Sequence, residues 1–276
     1  MSKGKLEDTG RRYIADLERA NYAATYEATK VTPGLELTLR DDVIMTASEL
    51  LPIPDANHAC LLRSSTAEVG DLIDEVVDYY QTREAVPTVY VSPACEPEGL
   101  AEHLVERGFV EQPGREAWMT LDSLSDLAVP SPTPRTQVRQ ITQDEVETFT
   151  EVFLTAFGMP LDFAPAMVRL LKPSIGLEHT YHYIAYSDDR PVGTCSLLVH
   201  ETYGVLGSEG VIRSRRSRGA AMNLVIAVVK EARKHGVETL MLQTAAGTLL
   251  ERLLRIGGFR RVFTRTCYTL DYESSH

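Results

Sequence analysis

The segment Val211-Ile-Arg-Ser-Arg-Arg-Ser-Arg-Gly-Ala-Ala221 decides how the rest of the chain is interpreted. An apolar strand-like run ends at its start, four arginines follow within six residues, and the small residues 219–221 open a helical pattern. The first N–H groups of a helix have no partner within the helix and carry partial positive charge, so they bind anions. Small residues let a ligand approach the backbone, and a diphosphate fits several neighbouring cations better than one carboxylate does. The segment therefore predicts a phosphate-binding turn, with a solvated basic loop or a contact to a polyanion as the alternatives.

The residues around this segment alternate between strand and helix patterns. We predict a strand at 203–212 and an amphipathic helix at 219–235, because apolar residues recur there on one helix face. A buried-type strand at 238–244, a short helix at 249–256 and a final strand at 262–271 follow. Strands with helices between them predict an α/β protein with a mixed sheet.

A proline-rich segment, 127–134, divides the chain almost in half. Its three prolines, Pro130, Pro132 and Pro134, exclude a helix and favour an extended linker.

The two halves resemble each other. Phe109 and Phe259 each follow an apolar helix pattern that ends in glycine, and they lie 150 residues apart. Arg63 and Arg213 are also 150 residues apart, and two Thr-Leu-Asp stretches recur at an offset of 149. A nearly constant offset over about fifty residues indicates a duplicated α/β unit.

The pattern Arg216-x-x-Gly219-x-Ala221 after a strand resembles the (Gln/Arg)-x-x-Gly-x-(Gly/Ala) signature of the GNAT superfamily of N-acetyltransferases. The helix, strand, short helix and Gly258-Phe259 that follow have the order typical of that family. The resemblance covers 136–272 strongly and 34–122 weakly. It implies two GNAT-like units, each a central, mostly antiparallel mixed sheet flanked by helices. We therefore expect a degenerate GNAT-like domain at 1–130 and a GNAT acetyltransferase domain at 136–276.

The resemblance implies acetyl-CoA, or another acyl-CoA, as acyl donor. Carried over by position, the cofactor-binding residues are Gly210, Val211, Arg216, Ser217, Arg218, Gly219, Ala220 and Ala221. The first half departs from the signature, because Glu68 and Asp71 put negative charge where the matching helix begins. We expect no cofactor there and a structural role for that half.

Acyl transfer to an amine requires removal of a proton from the ammonium group. Glu209 lies two residues before Val211 on the predicted strand, where burial would raise its pKa, so we predict that it is the general base. The alternative is an ordinary polar residue or a salt-bridge partner of an arginine. His200, Tyr203 and Ser208, on the same predicted hairpin, are the other candidates.

Many family members protonate the leaving thiolate with a tyrosine four residues before the Gly-Phe pair. That position is Leu254 here, and Tyr268 on the last strand is the candidate substitute, with sheet packing as its alternative role. We predict an acyl-CoA-dependent N-acyltransferase that acetylates a small amine. The rival interpretation, favoured by Leu254, is a non-catalytic acyl-CoA-binding sensor or structural protein.

Composition limits the remaining classes. A net charge of −11 argues against a nucleic-acid or anionic-membrane binder. The four cysteines form no CxxC and predict neither zinc nor disulfides, and His179 and His182 fall on opposite faces of a predicted strand, so we expect no metal. The charged N-terminus lacks a signal-peptide core, so we expect a cytoplasmic protein, and a homodimer is left open.

Overall fold

The structure is a computed structural model that describes residues 3–215 and 219–271. The chain forms two compact units that are interleaved along the sequence. Unit 1 consists of Met1–Ala23, Gly34–Thr120 and Gln243–His276, and unit 2 consists of Ala24–Pro33 and Leu121–Leu242.

Unit 1 is a sheet flanked by helices. Its helices are α1 (Lys3–Ala23), α3 (Val69–Gln81), α4 (Leu100–Glu106) and α8 (Leu249–Ile256). Its strands are β1 (Leu35–Leu39), β2 (Ile44–Ser48), β3 (His58–Cys60), β4 (Thr88–Val91), β5 (Phe109–Glu111), β6 (Glu116–Leu121) and β12 (Arg260–Leu270). The strand order is β1-β2-β3-β4-β12-β6, with β5 also paired to β12, and only the pair β3–β4 is parallel.

The interior of unit 1 contains a charged cluster beside its apolar core. Arg265, on β12, is 5% exposed and makes ion pairs with Glu18 and Glu116. Its guanidinium lies over the rings of Tyr90 and Trp118, with its carbon 4.2 and 5.0 Å from the ring centroids. A buried charge needs compensation by partners, and these contacts provide it for Arg265.

Unit 2 is a second sheet with helices. Its helices are α2 (Tyr26–Val31), α5 (Val146–Phe157), α6 (Ala164–Leu171) and α7 (Ala220–Lys234). Its strands are β7 (Thr136–Gln140), β8 (Thr180–Ser187), β9 (Arg190–His200), β10 (Tyr203–Val211) and β11 (Thr239–Ala245), the last of which extends past the boundary of the unit. The order is β7-β8-β9-β10-β11, and only β10–β11 is parallel.

The helix predicted at 219–235 is observed as α7, which ends at Lys234. Gly236, shortly after it, has a left-handed conformation with φ 69°. The expected apolar face (Ala221, Val225, Val228, Val229 and Ala232) is buried at its last three positions. Ala221 is exposed, whereas Asn223 is 3% exposed among the apolar residues of that face. A polar side chain is therefore buried in the first turn of this helix.

The predicted α/β class, with mostly antiparallel sheets flanked by helices, is confirmed. The compact units have other bounds than the expected domains, 1–130 and 136–276, since α8 and β12 belong to unit 1. The reason is strand pairing, because β12 forms its ladders with β4, β5 and β6. The division of the chain into two duplicated copies stays a prediction.

None of the helices in the described ranges has the length and apolar character needed to cross a membrane. The same residues contain no group of three or more His, Cys, Asp or Glu side chains that could hold a metal ion.

Candidate functional site

The strands β10 and β11 are paired only at their first residues. Tyr203–Val205 pairs with Thr239–Met241 in parallel, and the later residues of β10 that the structure describes are registered with β9 alone. Backbone N–H and C=O groups along such an edge remain available to an extended ligand, which can bind as an added strand does.

A β-bulge interrupts β10 where this edge is open. The register with β9 shifts between Gly207 and Gly210, and Ser208 is left-handed, with φ 51°. The Thr194 hydroxyl donates a 2.7 Å hydrogen bond to the Ser208 carbonyl. Two residues, Ser208 and Glu209, therefore oppose the single residue Cys195 on β9.

Glu209 is half-buried in this bulge. Its charge acts on the buried Cys195 thiol, whose pKa is raised first by burial and then by this carboxylate. Desolvation by burial raises the pKa of Glu209 to about 6. Within the described part of the chain, its carboxylate has neither a hydrogen-bond nor an ion-pair partner. A carboxylate with this pKa is mostly deprotonated at neutral pH and can accept a proton.

Gly210 lies where helix α5 approaches the strand. A Cβ on Gly210 would fall 2.9 Å from Ala156 Cβ and 2.9 Å from a ring carbon of Phe157, which is closer than packed atoms come. Glycine is therefore required at this position by the packing of α5. Val211, the next residue, is half-buried at the end of β10.

The predicted phosphate turn lies between β10 and α7. Arg213–Arg215 forms a short 3-10 turn with Arg213 exposed, whereas Arg216, Ser217 and Arg218 lie outside the described residues. Gly219 has φ 117°, a conformation that favours glycine. Ala220 is fully buried and Ala221 is exposed in the first turn of α7.

The N-cap residue of α7 is Gly219, which has no side chain that could cap the first turn. The leading N–H groups of α7 are those that the predicted phosphate site would use, and that role stays a prediction. Of the predicted site residues, unit 2 brings Glu209, Gly210, Val211 and Gly219–Ala221 onto one strand–turn–helix segment. The sequence interpretation missed Asn223, although a polar residue on an otherwise apolar helix face was a usable signal.

Tyr268 lies elsewhere, in unit 1. It is 7% exposed in the apolar core, and its hydroxyl donates to a Glu111 carboxylate oxygen at 3.2 Å. Burial raises its pKa. These contacts are those of a packed sheet residue, and its role as an acid stays a prediction. Leu254 is half-buried on α8, in the same unit.

The remaining candidates lie on the β9–β10 hairpin. His200 and Tyr203 pair across its turn, and Ser208 occupies the bulge beside Glu209.

Unit 1 also has one parallel strand pair, β3 and β4, and it is arranged differently. After the parallel pairs of Ala59 with Val89 and Cys60 with Tyr90, the chain continues to pair. The Glu96 N–H donates to the Leu62 carbonyl at 2.8 Å, and an isolated parallel bridge joins Arg63 to Glu96. The space beside β3 is therefore filled by the main chain.

Residues 140–254 match the model of the acetyltransferase (GNAT) family. A GCN5-related N-acetyltransferase from Kribbella flavida is 15% identical, with a TM-score of 0.65 over 91% of this chain and 95% of its own. A GCN5-related N-acetyltransferase from Sphaerobacter thermophilus is 21% identical, with a TM-score of 0.59 over 93% and 90% of the two chains.

A tandem GNAT protein from the clavulanic acid biosynthesis pathway, solved without AcCoA, is 14% identical. Its TM-score is 0.61, and the match covers 92% of each chain. No curated protein matches the sequence. The chain therefore has the GNAT fold over most of its length, and its residues 140–254 match the model of the GNAT acetyltransferase family.

Proposed function

We propose that the protein is an acyl-CoA-dependent N-acyltransferase that transfers an acetyl group from acetyl-CoA to a small-molecule amine. The observation that carries this proposal is the open edge of β10, which leads directly to the uncapped first turn of α7. An extended, amide-containing chain that ends in a diphosphate fits such an edge and helix terminus.

The residues of unit 2 suit the donor in separate ways. The backbone of Gly210 and Val211 would hold the amide-containing arm, and the first turn of α7 at Gly219–Ala221 would bind the diphosphate. The arginines at 216 and 218 would add positive charge through the neighbouring loop. When bound, acetyl-CoA supplies a thioester, an acyl group activated for attack by an amine.

Glu209 would prepare the amine. Its carboxylate takes one proton from the substrate ammonium, directly or through a water molecule, and leaves a neutral nitrogen with a free lone pair. The pKa of about 6 keeps Glu209 basic at neutral pH. A backbone N–H of the open strand edge would donate to the carbonyl oxygen as negative charge develops there.

A second function, non-catalytic binding of acyl-CoA, is favoured by one observation. Leu254 has no ionisable group at the position where many family members carry a tyrosine. Binding and catalysis share the same open strand edge and helix terminus, so only turnover distinguishes the two functions.

The experiment is an acceptor screen with acetyl-CoA, followed by release of free CoA thiol and by mass spectrometry of the acetylated amine. Calorimetry on the same protein measures acetyl-CoA binding. Binding with acetylation of an amine supports the transferase, and binding without turnover on any amine class supports the sensor. A protein that binds no acyl-CoA would contradict both.

A further inference from the structure

Two side chains of helix α7 hold the proline-rich segment: Arg233 donates to the Leu127 carbonyl, and the buried Asn223 binds the chain around Thr133. The Thr133 N–H donates to Asn223 Oδ1 at 2.9 Å, and Asn223 Nδ2 donates to the carbonyls of Thr133 at 3.0 Å and Thr136 at 2.7 Å. Asn223 is 3% exposed. Its amide thus joins two points of the chain outside the helix to the first turn of α7.

The same contact reaches Gly219. A Cβ built on Gly219 would lie 2.2 Å from Thr133 Oγ1, so the threonine side chain packs directly against the glycine backbone. The Asn223 N–H donates to the Gly219 carbonyl at 2.7 Å and closes the first turn of the helix. Thr133 and Asn223 therefore confine Gly219 between them.

Confinement of this turn matters for binding of an anion. The first-turn N–H groups hold a diphosphate only when they point at it together, and a preformed turn loses less conformational freedom on binding. Pro132 and Pro134 flank Thr133 and restrict its backbone further. These restraints act before any ligand arrives.

We propose that Asn223 is a positioning residue for the cofactor diphosphate. It holds the segment around Thr133 against Gly219 and so preorganises the first turn of α7. This inference rests on the proposed function, because the diphosphate is that of the acyl-CoA. Asn223 acts through Gly219 and the helix N–H groups and has no part in the chemical step.

A buried asparagine in unit 1 provides a matched control. Asn57 is 5% exposed, accepts from the Ser48 N–H at 2.9 Å and donates to the carbonyls of Leu51 and Ile53 at 2.6 and 3.1 Å. Its loss should destabilise the protein as the loss of Asn223 does, because both changes leave buried backbone groups without partners.

The test measures acetyl-CoA binding by calorimetry and turnover on the full chain, for Asn223→Ala, the milder Asn223→Ser and Asn57→Ala. We expect the Kd to rise about tenfold in Asn223→Ala and less in Asn223→Ser, with kcat at saturating acetyl-CoA unchanged. Asn57→Ala should leave the Kd within about twofold of the wild type while lowering the melting temperature.

Hydrogen exchange without ligand supplies an independent readout. The amides of residue 223 and of Thr133, both hydrogen-bonded in this contact, should exchange faster in Asn223→Ala, whereas those of the last turn of α7 should keep their protection. An unchanged Kd in both Asn223 variants, or an equal loss of affinity in Asn57→Ala, would overturn the inference and leave the proposed function standing. A wild-type protein that binds no acetyl-CoA would instead overturn the proposed function, and this role with it.

Discussion

The same structural motif, two parallel strands joined by a helix, has opposite outcomes in the two units. In unit 1 the strands β3 and β4 continue into a main-chain contact between Leu62 and Glu96, and acidic residues stand at the start of α3. In unit 2 the strands β10 and β11 pair over three residues only, and α7 begins at Gly219 without a side-chain cap.

The difference lies in backbone and charge more than in topology. A bulge at Ser208 leaves backbone groups of the strand edge in unit 2 available, whereas the chain after β3 in unit 1 is bonded to Glu96. The N-cap residues of α3 and α7 both lack a side-chain cap bond, but α3 begins with the acidic residues Glu68 and Asp71. Two units can thus share a strand–helix–strand motif and differ in how much of the strand edge is open to an extended ligand.

The largest expected effect concerns Glu209, the carboxylate in the β10 bulge of unit 2. Glu209→Gln keeps the size of the side chain but cannot accept a proton, so turnover should fall by about 10²–10⁴-fold with little change in acetyl-CoA affinity. The wild-type rate should decline below about pH 6, where Glu209 becomes protonated, and the variant should lack this limb.

Steady-state rates across pH would test this prediction, with Glu238→Gln, an exposed position before β11, as the control. Near-normal turnover with an unchanged profile would move the base to another group. Loss of cofactor binding would make Glu209 a structural residue of the bulge.

The next effect concerns the helix terminus. Gly219→Glu should weaken acetyl-CoA binding by at least about 100-fold, because φ is 117°, Thr133 fills the space of a Cβ, and the added charge repels a diphosphate. Calorimetry should give one site per chain for the wild type and none for the variant.

Two further variants separate the effect of the added charge from the effects of backbone conformation and steric overlap. Ala221→Glu adds the charge at an exposed position of the first turn of α7, and Gly10→Glu adds it to α1, where nothing lies within 4 Å. We expect weaker binding in the first and unchanged binding in the second. Two equivalent sites in the wild type would show that unit 1 also binds the donor.

A third prediction concerns the interior of unit 1. Burial raises the pKa of Glu18 from 4.5 to about 7, against the opposing effects of Arg265 and the Ser92 hydroxyl. The folded state then binds a proton more tightly than the unfolded chain does. This contribution to stability is complete below about pH 4.5 and is lost as the pH rises to about 7.

Glu18→Gln should remove that decline, because an amide does not titrate. Urea denaturation at several pH values would measure it, with the exposed Glu102→Gln as control. An equal pH dependence in the wild type and Glu18→Gln would assign the titration to another group.

The smallest effect concerns the ion pair that accompanies the main-chain contact after β3 in unit 1. The Arg63–Glu96 ion pair spans 3.0 Å, but the two side chains are 40% and 43% exposed. Arg63→Ala should therefore lower the free energy of unfolding by less than about 1 kcal/mol. It should create no second acetyl-CoA site, since the main-chain bond of Glu96 remains. A new site detected by calorimetry would show that the ion pair, and not the main-chain bond, keeps acetyl-CoA out of the space beside β3.

Local patterns predicted much of this structure. The helix at 249–256 has the expected bounds, and the small residues 219–221 begin α7 as the pattern indicates. The bulge was not predictable, because Ser208 is a residue type without preference for a left-handed conformation. The strands that pair with β12 and the residues that bond to Asn223 lie more than 80 positions away in the sequence. A local sequence pattern does not specify them.

The place of β12 in unit 1 has a consequence for synthesis. The ribosome releases the chain from its N-terminus onwards, so β1–β6 emerge long before residues 260–270 do. The sheet of unit 1 lacks the strand between β4 and β6 until then, and Glu18 and Glu116 lack their arginine. Residues 121–242, in contrast, contain every strand from β7 to β10 and all of α7. Unit 1, whose first strands are synthesised earliest, is therefore the unit that is completed last.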